Sequence, residues 1–180
     1  VRPWPREHRP AERRLSDAVS VARDAHRLPR ASSPTTEALM KVQIMTNTTS
    51  TKPLYQTQAT AIGGRSGWAA SADGALRVHM ALPPALGGTG GAGTNPEQLF
   101  AAGYAACFLS AIKSAAEQSH VTIAEDANVT ATVGVAPRED HDGLTLQLAL
   151  AVDLPGLERT MAERIVAAAH QACPYSDALR

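Results

Sequence analysis

Alternating apolar and polar positions dominate the first half of the chain after residue 45, and they predict strands. Five stretches show this alternation or a short apolar run: residues 54–62, 65–71, 75–82, 127–136 and 144–152. The dipeptides Gly63-Gly64 and Asp73-Gly74 separate the first three and are typical of hairpin turns. The pattern therefore predicts three strands, a gap, and then two more strands.

The gap holds a long apolar stretch with a helical start signal. Thr94 or Asn95 supplies a cap, Pro96 suits the first helical position, and Glu97 suits the first turn. The pattern predicts a helix of about 23 residues that ends near Gln118. It carries no charge between residues 99 and 112, which is typical of a helix buried on every side.

A second helix is predicted over residues 157–172, where the sequence is amphipathic. It should end where Cys173 precedes Pro174, because the residue before proline disfavours helical geometry. The expected inward positions are Met161, Ile165, Ala168 and Ala172. Strands grouped apart from long helices predict an α+β fold.

Composition narrows the possible functions. Seventeen basic and seventeen acidic residues leave no net charge, which argues against a general nucleic-acid or anionic-membrane binder. No stretch reaches about 18 uninterrupted apolar residues, so no membrane association is expected. Two cysteines are too few for a multi-disulfide secreted scaffold.

The neutral total hides a basic first segment. Residues 1–44 carry nine basic and five acidic residues, a net +4, while residues 45–180 carry a net −4. The first segment also has five prolines and little apolar periodicity. We expect residues 1–44 to be a disordered or non-native extension and residues 45–180 to form one domain.

A glycine-rich loop precedes the first helix and raises the possibility of nucleotide binding. Gly88, Gly90 and Gly93 fit the spacing G-x-G-x-x-G, which cradles a pyrophosphate in dinucleotide-binding folds. The loop follows two prolines rather than a buried parallel strand, and Glu97 in the next turn would repel phosphate. We therefore interpret the loop as a flexible approach to the helix.

Cys107 and Cys173 admit two interpretations. Each suits the role of a small buried hydrophobic residue. However, Cys107 lies midway along the most apolar helix, where alanine would serve, and Cys173 lies at a helix end, where its sulfur has freedom to move. A distant pair also suits a two-step peroxidase, in which one thiolate attacks a peroxide and the second traps the sulfenic acid as a disulfide.

A buried reactive cysteine needs a cation nearby, because the thiolate is the nucleophile and burial disfavours it. Arg65, directly after Gly63-Gly64, is the basic residue best placed to be held inward, although a solvated turn arginine is the alternative. Glu97 suits a bidentate pair with such an arginine. Ten residues of helix separate Glu97 from Cys107 by about 15 Å, so a site that uses both needs two chains.

Three segments carry a family resemblance. They are residues 87–108 (GGTGGAGTNPEQLFAAGYAACF), residues 169–176 (AHQACPYS) and Gly63-Gly64-Arg65. Together they resemble the organic hydroperoxide resistance proteins of the OsmC/Ohr family, in order and spacing from about Tyr55 to Arg180. The Cys-Pro-Tyr-Ser sequence indicates the hydroperoxide-resistance branch.

The resemblance implies an OsmC-like fold of antiparallel sheets around two long helices, in an intertwined homodimer with sites at the interface. It implies a cytoplasmic peroxidase that reduces organic hydroperoxides, including those of fatty acids, to alcohols during oxidative stress. The implied reductant is a dithiol such as dihydrolipoamide or a lipoylated protein, with no bound cofactor or metal. Family members normally continue into a final strand after the position of Arg180, so that strand is expected to be missing here.

The resemblance also assigns roles to residues. Cys107 is implied to be the peroxidatic nucleophile, Cys173 the resolving thiol, and Arg65 and Glu97 the catalytic pair. The apolar side chains expected to form the substrate pocket are Phe100, Tyr104 and Phe108.

Two other functions stay open. One is a non-catalytic ligand-binding dimer of the same fold with structural cysteines. The other is a metal site made by His170, Cys173 and Cys107, which lacks a convincing fourth ligand.

Overall fold

The computed structural model describes residues 52–180, so the prediction for residues 1–44 lies outside the described residues. The described part has five strands and three α-helices, and its α+β class is as predicted. In chain order these elements are β1 (Ala59–Ile62), β2 (Trp68–Ser71), β3 (Arg77–His79), α1 (Pro96–Gln118), β4 (Asn128–Pro137), β5 (Leu144–Asp153), α2 (Arg159–Ala172) and α3 (Pro174–Ala178).

The strands form two antiparallel sheets, β1-β2-β3 and β4-β5. Strands β4 and β5 pair along ten residues, from Asn128 opposite Asp153 to Pro137 opposite Leu144, close to the predicted bounds. The strand predicted over residues 54–62 is shorter in the structure. Only its last four residues, those of β1, find partners on β2, and residues 54–58 are exposed.

A tight turn joins β1 to β2 and delays the start of β2 from the predicted residue 65 to Trp68. Gly63 and Gly64 have φ of 76° and 58°, which glycine adopts without the steric cost of a Cβ. A Cβ on Gly67 would collide with the carbonyl group of Ile62, so this position also requires glycine. The turn leaves Arg65 outside the strand ladder, free to bond elsewhere.

The glycine-rich loop carries the chain back to the first sheet. Strand β3 covers only Arg77–His79 of the predicted residues 75–82, because Met80 forms a bridge with Thr94 instead. Two backbone hydrogen bonds fix this return, from Ala81 N to Thr94 O (2.7 Å) and from Thr94 N to His79 O (2.8 Å). Helix α1 therefore begins beside the first sheet.

Helix α1 has the predicted start and length. Asn95 is the N-cap, its side chain accepts a hydrogen bond from Gln98 N at 2.9 Å, and Pro96 opens the helix. The helix ends at Gln118, as predicted. The prediction that it is buried on every side is wrong for a single chain, because Ala102, Ala106 and Ser110 are exposed.

The core lies between α1 and α2, with β4 packed on another part of α1. Its fully buried large side chains include Phe108, Ile112 and Ile165. The predicted inward face of α2 is wrong in part, since Ala168 and Ala172 are exposed. The residues buried after Ile165 are Ala169 and Cys173, each four positions after the last. The prediction had placed the first of them three positions after Ile165, which shifts the buried face by one residue.

Helix α1 is long and apolar enough to cross a membrane, judged by length and composition alone. The buried core helix of a soluble protein can meet the same two criteria. In this chain α1 packs against β4 and α2, yet only 28% of its most apolar window is buried. Other large apolar side chains are exposed as well: Ile62, Trp68, Leu144, Leu146 and Leu148. The single chain therefore leaves much apolar surface uncovered.

The Asn95 cap gives a stability prediction. Replacing Asn95 with alanine removes the acceptor for Gln98 N, and we expect the free energy of unfolding to fall by about 1 kcal/mol. Urea denaturation followed by circular dichroism measures the change. Asn95→Asp keeps a capping oxygen and serves as the control, and equal stability of the Ala and Asp variants would contradict the assignment.

Candidate active site

The two cysteines lie side by side although 66 residues separate them in the chain. Their Sγ atoms are 3.6 Å apart. Both are free thiols; Cys107 is partly exposed, whereas Cys173 is fully buried. This arrangement places one accessible sulfur next to one protected sulfur.

The local sequence explains the position of Cys173. The residue has extended φ and ψ of −71° and 122°, the geometry favoured before proline, so α2 stops there as predicted. Pro174 then opens α3, a helix that the sequence analysis did not predict. Cys173 is thus the single residue between two helices.

Helix α3 is fixed to α1 through aromatic contacts. The ring of Tyr175 lies 5.8 Å from that of Tyr104 and 6.0 Å from that of Phe100, between centroids. It also covers Gly103, where a Cβ would come within 3.0 Å of the tyrosine oxygen. A small residue at position 103 therefore lets α3, and with it Cys173, approach α1.

The two thiols differ in acidity. Burial raises the pKa of the Cys107 thiol, and its hydrogen bond with Cys173 adds to the increase, while the backbone of Tyr175 opposes it. Burial also acts to raise the pKa of Cys173, but polar groups around its sulfur, those of Ser176, the Cys107 thiol and the backbone of Tyr175, together outweigh burial and leave this pKa lowered. Within one chain, the buried Cys173 is the more acidic of the two.

Arg65 and Glu97 form the predicted bidentate ion pair. Arg65 Nη1 donates to Glu97 Oε2 at 2.8 Å and Nη2 donates to Glu97 Oε1 at 2.6 Å. The β1–β2 turn supplies the arginine and the first turn of α1 supplies the glutamate. Hydrogen bonding to Arg65 lowers the pKa of Glu97, and the same bond raises the pKa of Arg65.

The ion pair and the thiol pair are separate within one chain. Among residues 52–180, no hydrogen bond joins Arg65 or Glu97 to either sulfur, and neither residue contributes to the pKa of Cys107. Glu97 and Cys107 are also about 15 Å apart along α1. The structure thus assembles each predicted pair but does not bring the two pairs together in a single chain.

The three predicted pocket residues differ in exposure. Tyr104 and Phe108 are buried in the core of this chain, whereas Phe100 is partly buried against it. Contact between these side chains and a substrate stays a prediction. The sequence analysis missed the hydroxyl of Tyr104, which lies 3.0 Å from Ser176 Oγ in a buried hydrogen bond.

Ser176 is the second residue that the sequence analysis missed as part of the site. It is 1% exposed and lies three positions after Cys173, in the first turn of α3. The signal was Pro174, which often opens a helix and would have placed residue 176 in the first turn of a helix that begins after Cys173.

An open cleft of 430 Å³ adjoins the ion pair. Glu97 lines it together with Leu86, Val133 and Val135. No cluster of three or more His, Cys, Asp or Glu side chains suited to a metal occurs in the part of the chain that the structure describes. His170 of the considered metal set instead packs near Phe108, with ring centroids 6.3 Å apart.

The ion pair predicts a pH dependence of stability. Because the folded protein lowers the pKa of Glu97, the stabilising contribution of the pair is complete above the pKa of an unfolded glutamate and is lost as pH falls through the lower folded pKa. Glu97→Gln should therefore lower the free energy of unfolding at neutral pH and lower it less in acid. Urea denaturation at several pH values measures this, with the exposed Glu163→Gln as control. A loss independent of pH would contradict the pairing.

Comparison with known proteins places these features in a family. The family model described as OsmC-like protein matches residues 88–180. The organic hydroperoxide resistance protein of Xanthomonas axonopodis pv. citri (strain 306) is 46% identical over 129 residues, which cover 72% of this chain and 89% of that protein. The organic hydroperoxide resistance protein OhrB of Bacillus subtilis (strain 168) is 41% identical over 127 residues, covering 71% and 91%.

Solved structures agree with this result. The crystal structure of an organic hydroperoxide resistance protein from Legionella pneumophila has a TM-score of 0.67 and 46% identity, covering 72% of this chain and 92% of that one. The crystal structure of OhrB of Bacillus subtilis has a TM-score of 0.65 and 40% identity, covering 71% and 93%. The chain therefore has the OsmC-like fold and belongs to the OsmC/Ohr family, alongside the organic hydroperoxide resistance proteins.

Proposed function

We propose that this protein is a cysteine-based peroxidase that reduces organic hydroperoxides to alcohols and protects against oxidative stress. The observation that carries the proposal is the 3.6 Å approach of Cys107 and Cys173, one partly exposed and one buried. The names of the relatives supply the substrate class. The alternative of a ligand-binding dimer with structural cysteines does not require one of the two sulfurs to be accessible.

In the first step, the Cys107 thiolate attacks the outer oxygen of the hydroperoxide. The O–O bond breaks, Cys107 becomes a sulfenic acid, and the alkoxide leaves and takes a proton to become an alcohol. A guanidinium beside the reacting atoms favours the thiolate and stabilises the charge that develops on the leaving oxygen. Arg65, held by Glu97, is the residue proposed for this role.

In the second step, the Cys173 thiolate attacks the sulfur of the sulfenic acid. The S–O bond breaks, hydroxide leaves as water after protonation, and the Cys107–Cys173 disulfide forms. The lowered pKa of Cys173 supports this role, because a thiolate is the attacking species. An external dithiol then reduces the disulfide and becomes oxidised itself; we propose dihydrolipoamide, free or on a lipoylated protein. No bound metal or prosthetic group takes part.

We further propose that the active unit is a homodimer in which Arg65 of one copy serves Cys107 of the other. The single chain separates the two pairs, and burial together with the neighbouring Cys173 leaves the pKa of Cys107 raised, which is unfavourable for a nucleophile. The exposed apolar face of α1 and the exposed leucines of β5 offer surface for a second copy. A site shared between two chains brings the guanidinium of Arg65 to Cys107, which favours the thiolate.

The apolar surroundings support an organic substrate. Phe100 is partly buried next to Tyr104, and an alkyl chain would bury more apolar surface there than hydrogen peroxide could. We propose that Phe100, Tyr104 and Phe108 form the apolar wall of the substrate pocket. We assign the protein to the cytoplasm, where a reducing dithiol is available to regenerate the two thiols.

Counting thiols tests the peroxidase directly. The reduced protein should lose both thiols when mixed with one equivalent of cumene hydroperoxide, and peptide mapping should find a Cys107–Cys173 disulfide. Cys107→Ser should abolish turnover, whereas Cys173→Ser should undergo one oxidation and stop at the sulfenic acid or beyond. Unchanged thiols in the wild-type protein would favour the ligand-binding alternative.

Subunit complementation tests the shared site. Arg65→Ala and Cys107→Ser are each expected to be inactive, but co-expression of the two chains under different tags places Arg65 of one beside Cys107 of the other. Random pairing should restore about a quarter of wild-type activity, because half of the dimers have one of two sites intact. A site made within one chain would give no recovery, and this result would contradict the proposal.

A further inference from the structure

The glycine-rich loop between β3 and α1 has no part in the chemistry proposed above. Three of its glycines, Gly88, Gly90 and Gly93, fit a spacing that cradles phosphate in dinucleotide-binding folds. In the structure, however, atoms of neighbouring residues leave no room for a Cβ at Gly88 or Gly93. These two glycines therefore serve close contacts within the chain itself.

Gly93 allows two stretches of backbone to lie side by side. A Cβ at this position would come within 2.8 Å of Ala81 Cβ and 3.0 Å of His79 O. The next residue, Thr94, bonds to the same two residues: Thr94 N donates to His79 O, and Thr94 O accepts from Ala81 N. Since Gly93 does not have a positive φ, close approach rather than backbone conformation requires glycine here.

The arginine half of the ion pair is connected to the backbone beside Thr94. Arg65 lies in the β1–β2 turn, and Gly67 at the end of this turn accepts a hydrogen bond from Met80 N at 2.8 Å. Met80 is buried and directly follows β3. The turn that carries Arg65 is thus bonded to the same stretch of backbone that pairs with Thr94.

The glutamate half is connected to the other side of that pairing. Thr94 is followed by Asn95, the N-cap of α1, and Glu97 lies in the first turn of the helix. The two hydrogen bonds between Arg65 and Glu97, of 2.8 and 2.6 Å, therefore join elements whose backbones are already linked at Thr94. The close approach at Gly93 sets where α1 starts relative to the turn, and a bidentate pair demands a specific geometry.

We propose that the glycine-rich loop is a positioning element for the ion pair, and that Gly93 fixes Glu97 where both of its carboxylate oxygens meet Arg65. A side chain at position 93 would push Thr94 away from the backbone beside it and would move the first turn of α1. The catalytic consequence rests on the proposed function, in which Arg65, held by Glu97, serves the reacting thiolate. Gly93 acts through the ion pair and is a positioning residue.

The titration of Glu97 tests the position of its carboxylate without any substrate. In the wild-type protein, hydrogen bonding to Arg65 lowers the pKa of Glu97, and the Cδ resonance in carbon NMR follows this titration. Gly93→Ala should move the pKa of Glu97 upward, toward that of a free glutamate, because the bidentate hydrogen bonds are lost. An unchanged pKa of Glu97 in the folded variant would overturn the proposal.

Gly156→Ala is the matched control. Gly156 has a φ of 77° in the turn before α2, so alanine strains the backbone there, although no atom lies within 4 Å of the added Cβ. This variant should lose stability and leave the titration of Glu97 unchanged, which separates positioning from a general loss of stability. An equal rise of the Glu97 pKa in both variants would contradict the role of Gly93.

A second substitution tests the collision itself. Ala81→Gly, added to Gly93→Ala, removes the atom nearest to the new Cβ and should restore part of the lowered pKa of Glu97. The absence of any restoration would contradict a steric role for Gly93.

Hydrogen exchange in the wild-type protein decides the matter if Gly93→Ala does not fold. The amide hydrogens of Ala81 and Thr94 should exchange at least about a hundredfold more slowly than those of Gly91 and Ala92, because backbone hydrogen bonds hold the first two. Equal exchange rates would overturn the proposal, since the loop would then not be fixed to the strand.

Peroxidase kinetics report the catalytic consequence. Gly93→Ala should lower kcat/KM for cumene hydroperoxide by about ten- to a hundredfold, because a small displacement of the ion pair misplaces the guanidinium. Gly156→Ala should stay close to wild type. An inactive wild-type protein would overturn the proposed function and leave the NMR result on Gly93 standing. A fully active Gly93→Ala variant with a raised Glu97 pKa would overturn the catalytic consequence alone.

Discussion

The contact between the sulfurs of Cys107 and Cys173 is the constraint on which the site depends. It exists because α2 and α3 pack on one face of α1, with Phe108 and Ile165 in the core beneath and Gly103 leaving room for Tyr175. The packing of these helices thus keeps Cys107 Sγ and Cys173 Sγ 3.6 Å apart. In a structure this small, a cavity in that core would disturb the chemistry as well as the stability.

The same packing keeps the ion pair apart from the two thiols within one chain. The ion pair of Arg65 and Glu97 is anchored at the start of α1, while Cys107 lies ten residues further along that helix and Cys173 packs beside Cys107. A straight helix cannot bring residues of its first and fourth turns together. Joining the two pairs is the role that we propose for a second copy, which would also cover apolar surface that a single chain leaves exposed.

Features of the fold that depend on residues close together in the sequence were predicted correctly. Asn95 and Pro96 fixed the start of α1, Pro174 fixed the end of α2, and alternation found β4 and β5. Features that depend on contacts between residues far apart in the sequence were not predicted. The length of β1 is set by its register on β2, the buried stripe of α2 by its packing on α1, and the buried hydrogen bond of Ser176 by a tyrosine 72 residues away.

The position of Cys173 between two helices has a mechanical consequence. Its amide nitrogen donates to Ala169 O in α2, and its carbonyl oxygen accepts from Asp177 N in α3. The backbone of Cys173 is thus held by both helices, and its sulfur changes position by rotation about the Cα–Cβ bond, a movement that leaves both helices in place.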